Sequence, residues 1–140
     1  MSGRSAAVLL RTSYASLPRL ERFVDGYSGF SGEALARTKL VACELFDNLI
    51  AHGRGVMPPF AVVTLSAVPG PVLTLRYRAS NLQAFHRALE DARSGAGGRP
   101  RFDEAASLYR GFGLKMCVEL ASAIEVRRGL FWHRVSVVFS

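Results

Sequence analysis

ACELFDNLIAHG, at residues 42–53, is the stretch of this chain from which a fold and a site can both be argued. It predicts a helix that carries Glu44 and Asn48 four residues apart and that ends at His52 and Gly53. Because residues i and i+4 lie on one face of a helix, the carboxylate and the amide project side by side. Such a pair can accept a proton from a nucleophile and bind a hard cation such as Mg²⁺, which prefers oxygen ligands. The stretch therefore indicates a nucleotide site on an amphipathic helix.

The length and composition are typical of one folded domain. The chain has 140 residues, of which 49% are hydrophobic and 21% charged. This balance excludes an intrinsically disordered protein and favours a single domain over residues 1–140. No apolar run reaches the roughly 18 residues that a membrane span needs, and the N-terminal residues lack the apolar region and cleavage site of a signal peptide. We therefore expect a cytoplasmic protein that does not contact a membrane.

The charge balance is strongly basic. Lysine and arginine number 18 against 11 aspartate and glutamate, a net charge of +7 that favours anionic partners such as nucleotide phosphates or an acidic protein surface. The arginines are scattered rather than gathered in a block, and a genomic codon bias would account for them equally well. Since no helix-turn-helix or other recognition motif is present, direct binding of nucleic acid is not expected.

The two cysteines, Cys43 and Cys117, are expected to be buried thiols. Two cysteines in predicted helices make neither a disulfide scaffold nor a zinc site. Trp132 and His133, on the last predicted strand, are expected to be packing and surface residues rather than ligands.

Periodicity and turn residues predict an ordered series of helices and strands. Strands are predicted at residues 8–12, 60–66, 71–77, 124–127 and 130–139. Helices are predicted to begin at Ser16, with Pro18 in the first turn, and to cover residues 33–52, 82–92 and 114–123. Residues 94–100 have the composition of a mobile loop. Two hairpins favour a mixed, mostly antiparallel sheet with the helices on one face, which is a two-layer α/β sandwich of the α+β class.

A second motif, Gly111-Phe-Gly113 followed by Leu114, opens the last predicted helix. Glycines at a helix N-terminus let backbone N–H groups approach a phosphate, and the helix dipole favours the anion there. The glycines serve equally well as a loop-to-helix junction, and Asn48 alone also fits a solvated helix face. The motif predicts phosphate binding because it follows a Glu-x-x-x-Asn helix and a glycine-rich loop in the expected order.

These motifs resemble those of the GHKL (Bergerat-fold) ATPases. The similarity is to the small anti-sigma factors that act as serine kinases and that resemble the catalytic domains of histidine kinases. ELFDNLIAHG is similar to the N-box of that family, which implies that Glu44 is the general base and that Asn48 holds Mg²⁺. His52, in the same box, is a candidate for nucleotide binding, although a helix C-terminal residue facing the negative end of the dipole explains it as well.

The resemblance extends to the glycine motif. RGFGLKM, residues 110–116, is similar to the second glycine box of the family. It implies that Gly111, Gly113 and Leu114 contact ATP or ADP near its phosphates, and that about residues 85–109 form the ATP lid.

The resemblance fails at the adenine-binding box. The family carries an Asp-x-Gly sequence there that ends in a phenylalanine, and the aspartate binds the adenine amino group. The matching segment here is SNLQAF, in which Ser80 stands in the aspartate's place and Leu82 in the glycine's. A shift of one residue puts Asn81 in the aspartate's place and still supplies no glycine. A hydrogen bond to a charged group contributes about 1.5–3 kcal/mol, so its loss implies ATP binding weakened roughly ten- to a hundredfold.

Two functions of different kinds remain open. The first is a regulatory protein of the anti-sigma-factor type, which binds a sigma factor, a STAS-type anti-anti-sigma protein or another signalling protein and binds ATP weakly or not at all. The second is an active ATP- and Mg²⁺-dependent serine kinase that phosphorylates a STAS-type antagonist. A homodimer is a further open alternative. The altered adenine box favours the first, and the complete Glu44–Asn48 pair favours the second.

Overall fold

The computed structural model describes residues 5–52, 60–68, 70–78, 83–94, 101–103, 108–110, 112–129 and 131–139 of the chain. Within these ranges lie helices and strands in the order predicted from the sequence, with one short hairpin added. In chain order they are β1 (Ala6–Arg11), α1 (Leu17–Asp25), α2 (Gly32–His52), β2 (Phe60–Ser66), β3 (Val72–Arg78), α3 (Gln83–Ser94), β4 (Arg101–Asp103), β5 (Leu108–Arg110), α4 (Phe112–Leu120), β6 (Ala123–Arg128) and β7 (Trp132–Val138).

The described strands form a five-stranded sheet in the order β1-β2-β3-β7-β6, and β4 pairs with β5 in a separate hairpin. Every pairing in the five-stranded sheet is antiparallel. The helices pack on one face of this sheet, so the predicted two-layer sandwich of the α+β class is confirmed. The predicted sheet is mixed and mostly antiparallel, whereas the described pairings are antiparallel throughout.

The hydrophobic core lies between the helices and one face of the sheet, called here the inner face. Alternation along each strand places its buried residues on this face, as at Leu73, Leu75 and Tyr77 of β3. The helix α2 supplies the largest share of the opposite layer and contacts α1, α3 and α4. Its buried side chains are Thr38, Val41, Ala42, Leu45, Phe46 and Leu49. Burial of these two surfaces against each other stabilises the fold.

The start of α1 differs in one detail from the prediction. Pro18 lies in the first turn as expected, but the Ser16 side chain makes no capping hydrogen bond. Ser13 does so instead: its hydroxyl oxygen accepts a hydrogen bond of 3.3 Å from the Ala15 amide at a 3₁₀ turn that leads into the helix. The extra turn moves the capping serine upstream of the position that the proline pattern indicates.

The position of α4 also corrects the prediction of a helix over residues 114–123. The helix begins at Phe112 and ends at Leu120, and Ala123 is already the first residue of β6. The reason is tertiary: the Ser122 amide donates a hydrogen bond of 2.7 Å to the Val138 carbonyl, which draws the chain into the sheet. Helical periodicity cannot detect such a partner from the far end of the chain.

The region predicted as loop and lid contains regular structure. Ser94 is the last residue of α3 rather than the start of a loop. The hairpin of β4 and β5, paired from Arg101 with Arg110 to Asp103 with Leu108, lies within the stretch that the sequence left unstructured. The rest of the predicted loop, residues 95–100, lies outside the described residues. In the part of the chain that the structure describes, no helix combines the length and the apolar character needed to cross a membrane.

Replacing Leu75 with alanine tests the assignment of the two sheet faces. Leu75 is 3% exposed on the inner face of the central strand β3, so its truncation leaves a cavity. We expect the free energy of unfolding, measured by urea denaturation, to fall by about 2–5 kcal/mol. The matched control is Thr74→Ala, which changes the outer face of the same strand and should cost no more than about 0.5 kcal/mol. Equal losses in the two variants would contradict the assignment.

Candidate functional site

The junction of α2 and α4 brings two of the predicted site residues into contact. The carboxylate of Glu44 lies against Gly113, in the first turn of α4, so closely that a Cβ atom at Gly113 would overlap Glu44 Oε2. A larger residue at Gly113 would require the Glu44 carboxylate to move from this position. The N-box-like helix and the glycine motif, which are far apart in the sequence, therefore meet through these two residues.

The surroundings of Glu44 make its negative charge costly. The side chain is half-buried, and burial, together with the charge of Asp47, raises the pKa of its carboxyl group. The first turn of a helix presents backbone N–H groups without helical partners and the positive end of the helix dipole, both of which favour an anion. Glu44 thus places a carboxylate at the end of α4 where the family resemblance implies a phosphate.

Asn48 lies one turn further along α2 and is also half-buried. Its Nδ2 atom donates a hydrogen bond of 2.8 Å to the backbone carbonyl of Glu44. This bond fixes the side chain along the helix and leaves Oδ1 as the oxygen that can approach a cation. Asn48 is therefore held against its own helix rather than freely solvated.

The remaining predicted site residues have different positions. Leu114 is 5% exposed and belongs to the hydrophobic core beside Cys117. His52 is the last residue of α2, and its backbone alone is described. The predicted adenine-box and glycine-box positions Ser80, Asn81 and Gly111 lie outside the described residues.

A second polar group, which the sequence analysis did not identify, lies between α3 and the inner face of the sheet. We call Tyr77, His86, His133 and Arg128 the histidine cluster. The Tyr77 hydroxyl and His86 Nε2 are 2.8 Å apart in a buried hydrogen bond. The rings of His86 and His133 meet edge to face with centroids 4.9 Å apart, and His133 is cross-strand neighbour to both Tyr77 and Arg128.

The histidine cluster is arranged to stay neutral. Burial, His133 and Arg128 lower the pKa of His86 to about 4, and burial with Arg128 also lowers the pKa of His133. Burial raises the pKa of the Tyr77 hydroxyl. At neutral pH the cluster therefore consists of uncharged hydrogen-bonding groups beside one guanidinium.

An open cleft of about 600 Å³ borders this cluster. It lies between α3 and β6 and is lined by His86, Arg87, Glu90, Asp91, Arg93, Val126 and Arg128. Glu44 and Asn48 are not among these residues, so the cleft is distinct from the α2–α4 junction. Its mixed charges do not select one class of ligand.

Strand parity is the signal by which the sequence could have shown the cluster. Leu73, Leu75 and Tyr77 alternate on one face of β3, and Val137, Val135 and His133 do so on β7. A tyrosine and a histidine thus occupy the last position of two otherwise apolar series. Of the two residues expected to be packing and surface residues, His133 packs, because its ring contacts that of His86. Trp132 lies on the other face of the sheet and is 45% exposed.

The cysteines provide no reactive group. Cys117 is buried as expected, whereas Cys43 is only partly buried, and neither forms a disulfide. Burial raises the pKa of Cys43 to about 11 and that of Cys117 to about 12, so both are protonated thiols at neutral pH. Among the described side chains, no group of three or more histidine, cysteine, aspartate or glutamate residues could hold a metal ion.

Fold and site together define a two-layer α/β sandwich with a glutamate–glycine contact where its longest helix meets α4. In comparisons with known proteins, no protein-family model and no curated protein matched the chain.

The cost of the buried Glu44 charge is tested by Glu44→Gln. Because burial raises the pKa of Glu44, the folded state binds the proton more tightly than the unfolded chain, for which the ordinary value is 4.5. The carboxylate therefore lowers stability at neutral pH, and the penalty disappears as the pH falls below that value. We expect Glu44→Gln to be more stable than the wild type at neutral pH, with a smaller difference at acid pH. Urea unfolding at both pH values measures the effect.

A matched control for this variant is Glu119→Gln, which changes an exposed glutamate of α4. It should alter the free energy of unfolding by no more than about 0.5 kcal/mol at either pH. A Glu44→Gln protein less stable than the wild type at neutral pH would show that the carboxylate gains more from α4 than it loses by burial.

The histidine cluster predicts a loss of stability in mild acid. His86 has a folded pKa of about 4 against an ordinary 6.5, so the unfolded chain takes up the proton first as the pH falls. The free energy of unfolding should decrease from about pH 6.5 towards pH 4. In His86→Gln, which keeps a hydrogen-bonding side chain but does not titrate, the decrease should be smaller. Parallel pH profiles of the two proteins, from chemical unfolding, would contradict this role of His86.

Proposed function

We propose that the protein is a regulatory protein of the anti-sigma-factor type with a fold like that of the GHKL ATPases, acting mainly by binding another protein. The observation that carries the proposal is the contact of Glu44 with Gly113. It joins the N-box-like helix to the glycine motif, as a nucleotide site of that kind requires. The same contact supports weak nucleotide binding, because it brings a carboxylate to the first turn of α4, where the resemblance implies a phosphate.

Electrostatics favours weak nucleotide binding in this arrangement. Two unit charges about 4 Å apart interact by about 4 kcal/mol at an effective dielectric constant near 20, so a phosphate at α4 and an ionised Glu44 would repel each other strongly. The glutamate must turn away, take up a proton or gain a cation before a phosphate can bind. The absence of the adenine-box aspartate at Ser80 and Asn81 weakens the site further.

Asn48 is the residue that fits a Mg²⁺ ion. Its side-chain oxygen is left available by the hydrogen bond from Nδ2 to the Glu44 carbonyl, and Mg²⁺ is typically held by one or two protein oxygens together with substrate phosphates. When bound, the ion would neutralise phosphate charge. A single asparagine oxygen therefore suits a Mg²⁺ ion that binds together with the nucleotide.

An active serine kinase is the second candidate. The raised pKa of Glu44 favours it, because a carboxylate with increased basicity accepts a hydroxyl proton more readily. In that case Glu44 would be the general base and Asn48 the Mg²⁺ ligand, and the substrate would be a serine of a STAS-type protein.

The partners proposed for the first function are a sigma factor, a STAS-type anti-anti-sigma protein or another signalling protein, and the proposed location is the cytoplasm. The net charge of +7 favours an acidic surface on the partner.

Thermal unfolding with ATP and Mg²⁺ separates the two candidates. A ligand that binds only the folded state stabilises it by RT ln(1 + [L]/Kd), so a Kd near 1 mM gives about 1 kcal/mol at about 5 mM ATP. We expect the wild-type melting temperature to rise by a few degrees at most. Glu44→Gln should increase the shift, because it removes the repulsion at α4. Restoring the adenine box with Ser80→Asp and Leu82→Gly should increase it as well.

The controls for this experiment are Asn48→Ala and Asp47→Asn. Asn48→Ala should abolish any shift that depends on Mg²⁺, whereas Asp47→Asn, a neighbour on α2, should retain it. A large wild-type shift that Asn48→Ala removes, together with phosphate transfer to a serine, would replace the regulatory proposal with the kinase.

A further inference from the structure

The face of the sheet opposite the helices carries a distinct arrangement of side chains. It is called here the open face, and it is formed by the alternate residues of each strand that point away from the core. Since α1 to α4 pack on the inner face, the described helices leave this surface uncovered. Its residues are Ala7, Leu9, Arg11, Phe60, Val62, Thr64, Ser66, Val72, Thr74, Arg76, Arg78, Trp132, Arg134, Ser136, Val138, Ala123, Glu125 and Arg127.

Three arginines form a row across three neighbouring strands of the open face. Arg76 of β3 is paired in register with Arg134 of β7, and Arg134 is paired with Arg127 of β6. Arg76 and Arg127 are exposed and Arg134 is half-buried. With Trp132 they line a shallow pocket of about 300 Å³ at the β6–β7 turn, which Arg128, Gly129 and His133 also line. Neighbouring strands lie about 4.8 Å apart, so the row presents three guanidinium groups over about 10 Å.

This row is unfavourable for the free protein. Like charges directly opposite each other on adjacent strands destabilise a sheet. Five arginines share the open face with one acidic residue, Glu125, which pairs with Arg127 at 2.7 Å. Both members of that pair are exposed, so the pair contributes little stability, and another carboxylate can replace Glu125. An anionic partner would relieve the repulsion among the arginines.

The same cross-strand row becomes apolar towards β1. Beyond Arg76 it continues through Val62 to Leu9, and Leu9 is 55% exposed. Nucleic acids are bound mainly through positive charge along the phosphate backbone, whereas this row offers guanidinium groups at one end only and aliphatic side chains at the other. The combination favours a protein segment that is acidic at one end and apolar at the other.

We infer that the open face is the docking surface for an acidic amphipathic helix of a partner protein, lying across the strands with its carboxylates on Arg76, Arg134 and Arg127. A helix rises about 4.5 Å per i to i+3 step and about 6 Å per i to i+4 step, which brackets the spacing of the strands, so side chains on one helix face can meet one arginine each. Apolar side chains further along the helix would cover Val62 and Leu9. The inference deepens the proposed function and rests on it, because it takes the protein to act through a protein partner.

A second copy of this chain is a poor occupant of the open face. A symmetric dimer whose two-fold axis passes through the arginines would bring one row against another, and an axis elsewhere would set the arginines of each copy on the apolar end of the other. The net charge of +7 adds long-range repulsion between copies.

The test uses a fluorescent synthetic helix of about 18 residues, with three glutamates followed by two leucines along one face. Anisotropy titration of the full chain should show binding that weakens as salt is added. Arg76→Gln with Arg134→Gln should weaken it by about tenfold, since two ion pairs at the surface are lost. The control pair Arg19→Gln with Arg22→Gln, at exposed positions of α1, removes the same charge and should leave the affinity within about twofold.

The location of binding gives an independent measurement. In amide NMR spectra, the peptide should shift resonances of β3, β7 and β6 and leave those of α2 unchanged. Equal weakening by the two double variants, or equal binding of a peptide with lysine in place of glutamate, would overturn the inference. So would tighter binding of a single-stranded oligothymidylate through Arg76 and Arg134, which would identify a nucleic-acid surface.

The outcomes of this test and of the nucleotide test are separable. The ATP melting experiment reports on Glu44, on the inner side of the sheet, and its result does not depend on the open face. If a sigma factor or STAS-type protein binds the chain but shifts only the helices in the NMR spectra, the docking inference fails while the proposed function stands.

Discussion

The packing of α2 on the inner face of the sheet is the interaction on which the other parts of this structure depend. The helix buries Val41, Leu45, Phe46 and Leu49, and it contacts each of the other three helices described. This packing holds α2 against α4, and Glu44 meets Gly113 where these two helices contact each other. A site built on such a helix is held in place by the same contacts that stabilise the fold.

A single layer of helices determines what the rest of the surface can do. One layer of helices covers one face of a sheet. Because successive strand residues alternate between the two faces, they point in turn into the core and to solvent. At the β7–β6 end, where the core ends, the inner positions carry the polar residues of the histidine cluster. Its two histidines are neutral because burial lowers their pKa values. The outer positions at the same end carry the arginine row, which needs no burial.

Much of the fold follows from local sequence signals, and the exceptions are tertiary. Alternating apolar residues predict β2 and β3, and 3.6-residue periodicity predicts α2 almost to its ends. The end of α4 is set by the hydrogen bond from Ser122 to Val138, which no local window contains. Strands of three residues, such as β4 and β5, are too short to show a period at all.

The site is less accessible from sequence than the fold. Spacing on one helix predicts that Glu44 and Asn48 share a face, but the contact of Glu44 with Gly113 depends on how two helices pack. Predicting the histidine cluster requires further information. Strand parity places Tyr77 and His133 on the inner face, but only the register of β3 with β7 shows that they are neighbours. His86 belongs to α3, and sequence periodicity does not predict where α3 lies over the sheet.

The two polar groups at the β7–β6 end are linked through consecutive residues of one strand. Arg127 belongs to the row on the open face, and Arg128 belongs to the histidine cluster on the inner face. Burial is the main cause that lowers the pKa of both histidines, and Arg128 adds to it, so the positive charge at this end of the sheet also favours their neutral forms. Consecutive residues of β6 thus direct one arginine to each face of the sheet, and the one on the inner face adds to the burial that keeps the histidines neutral.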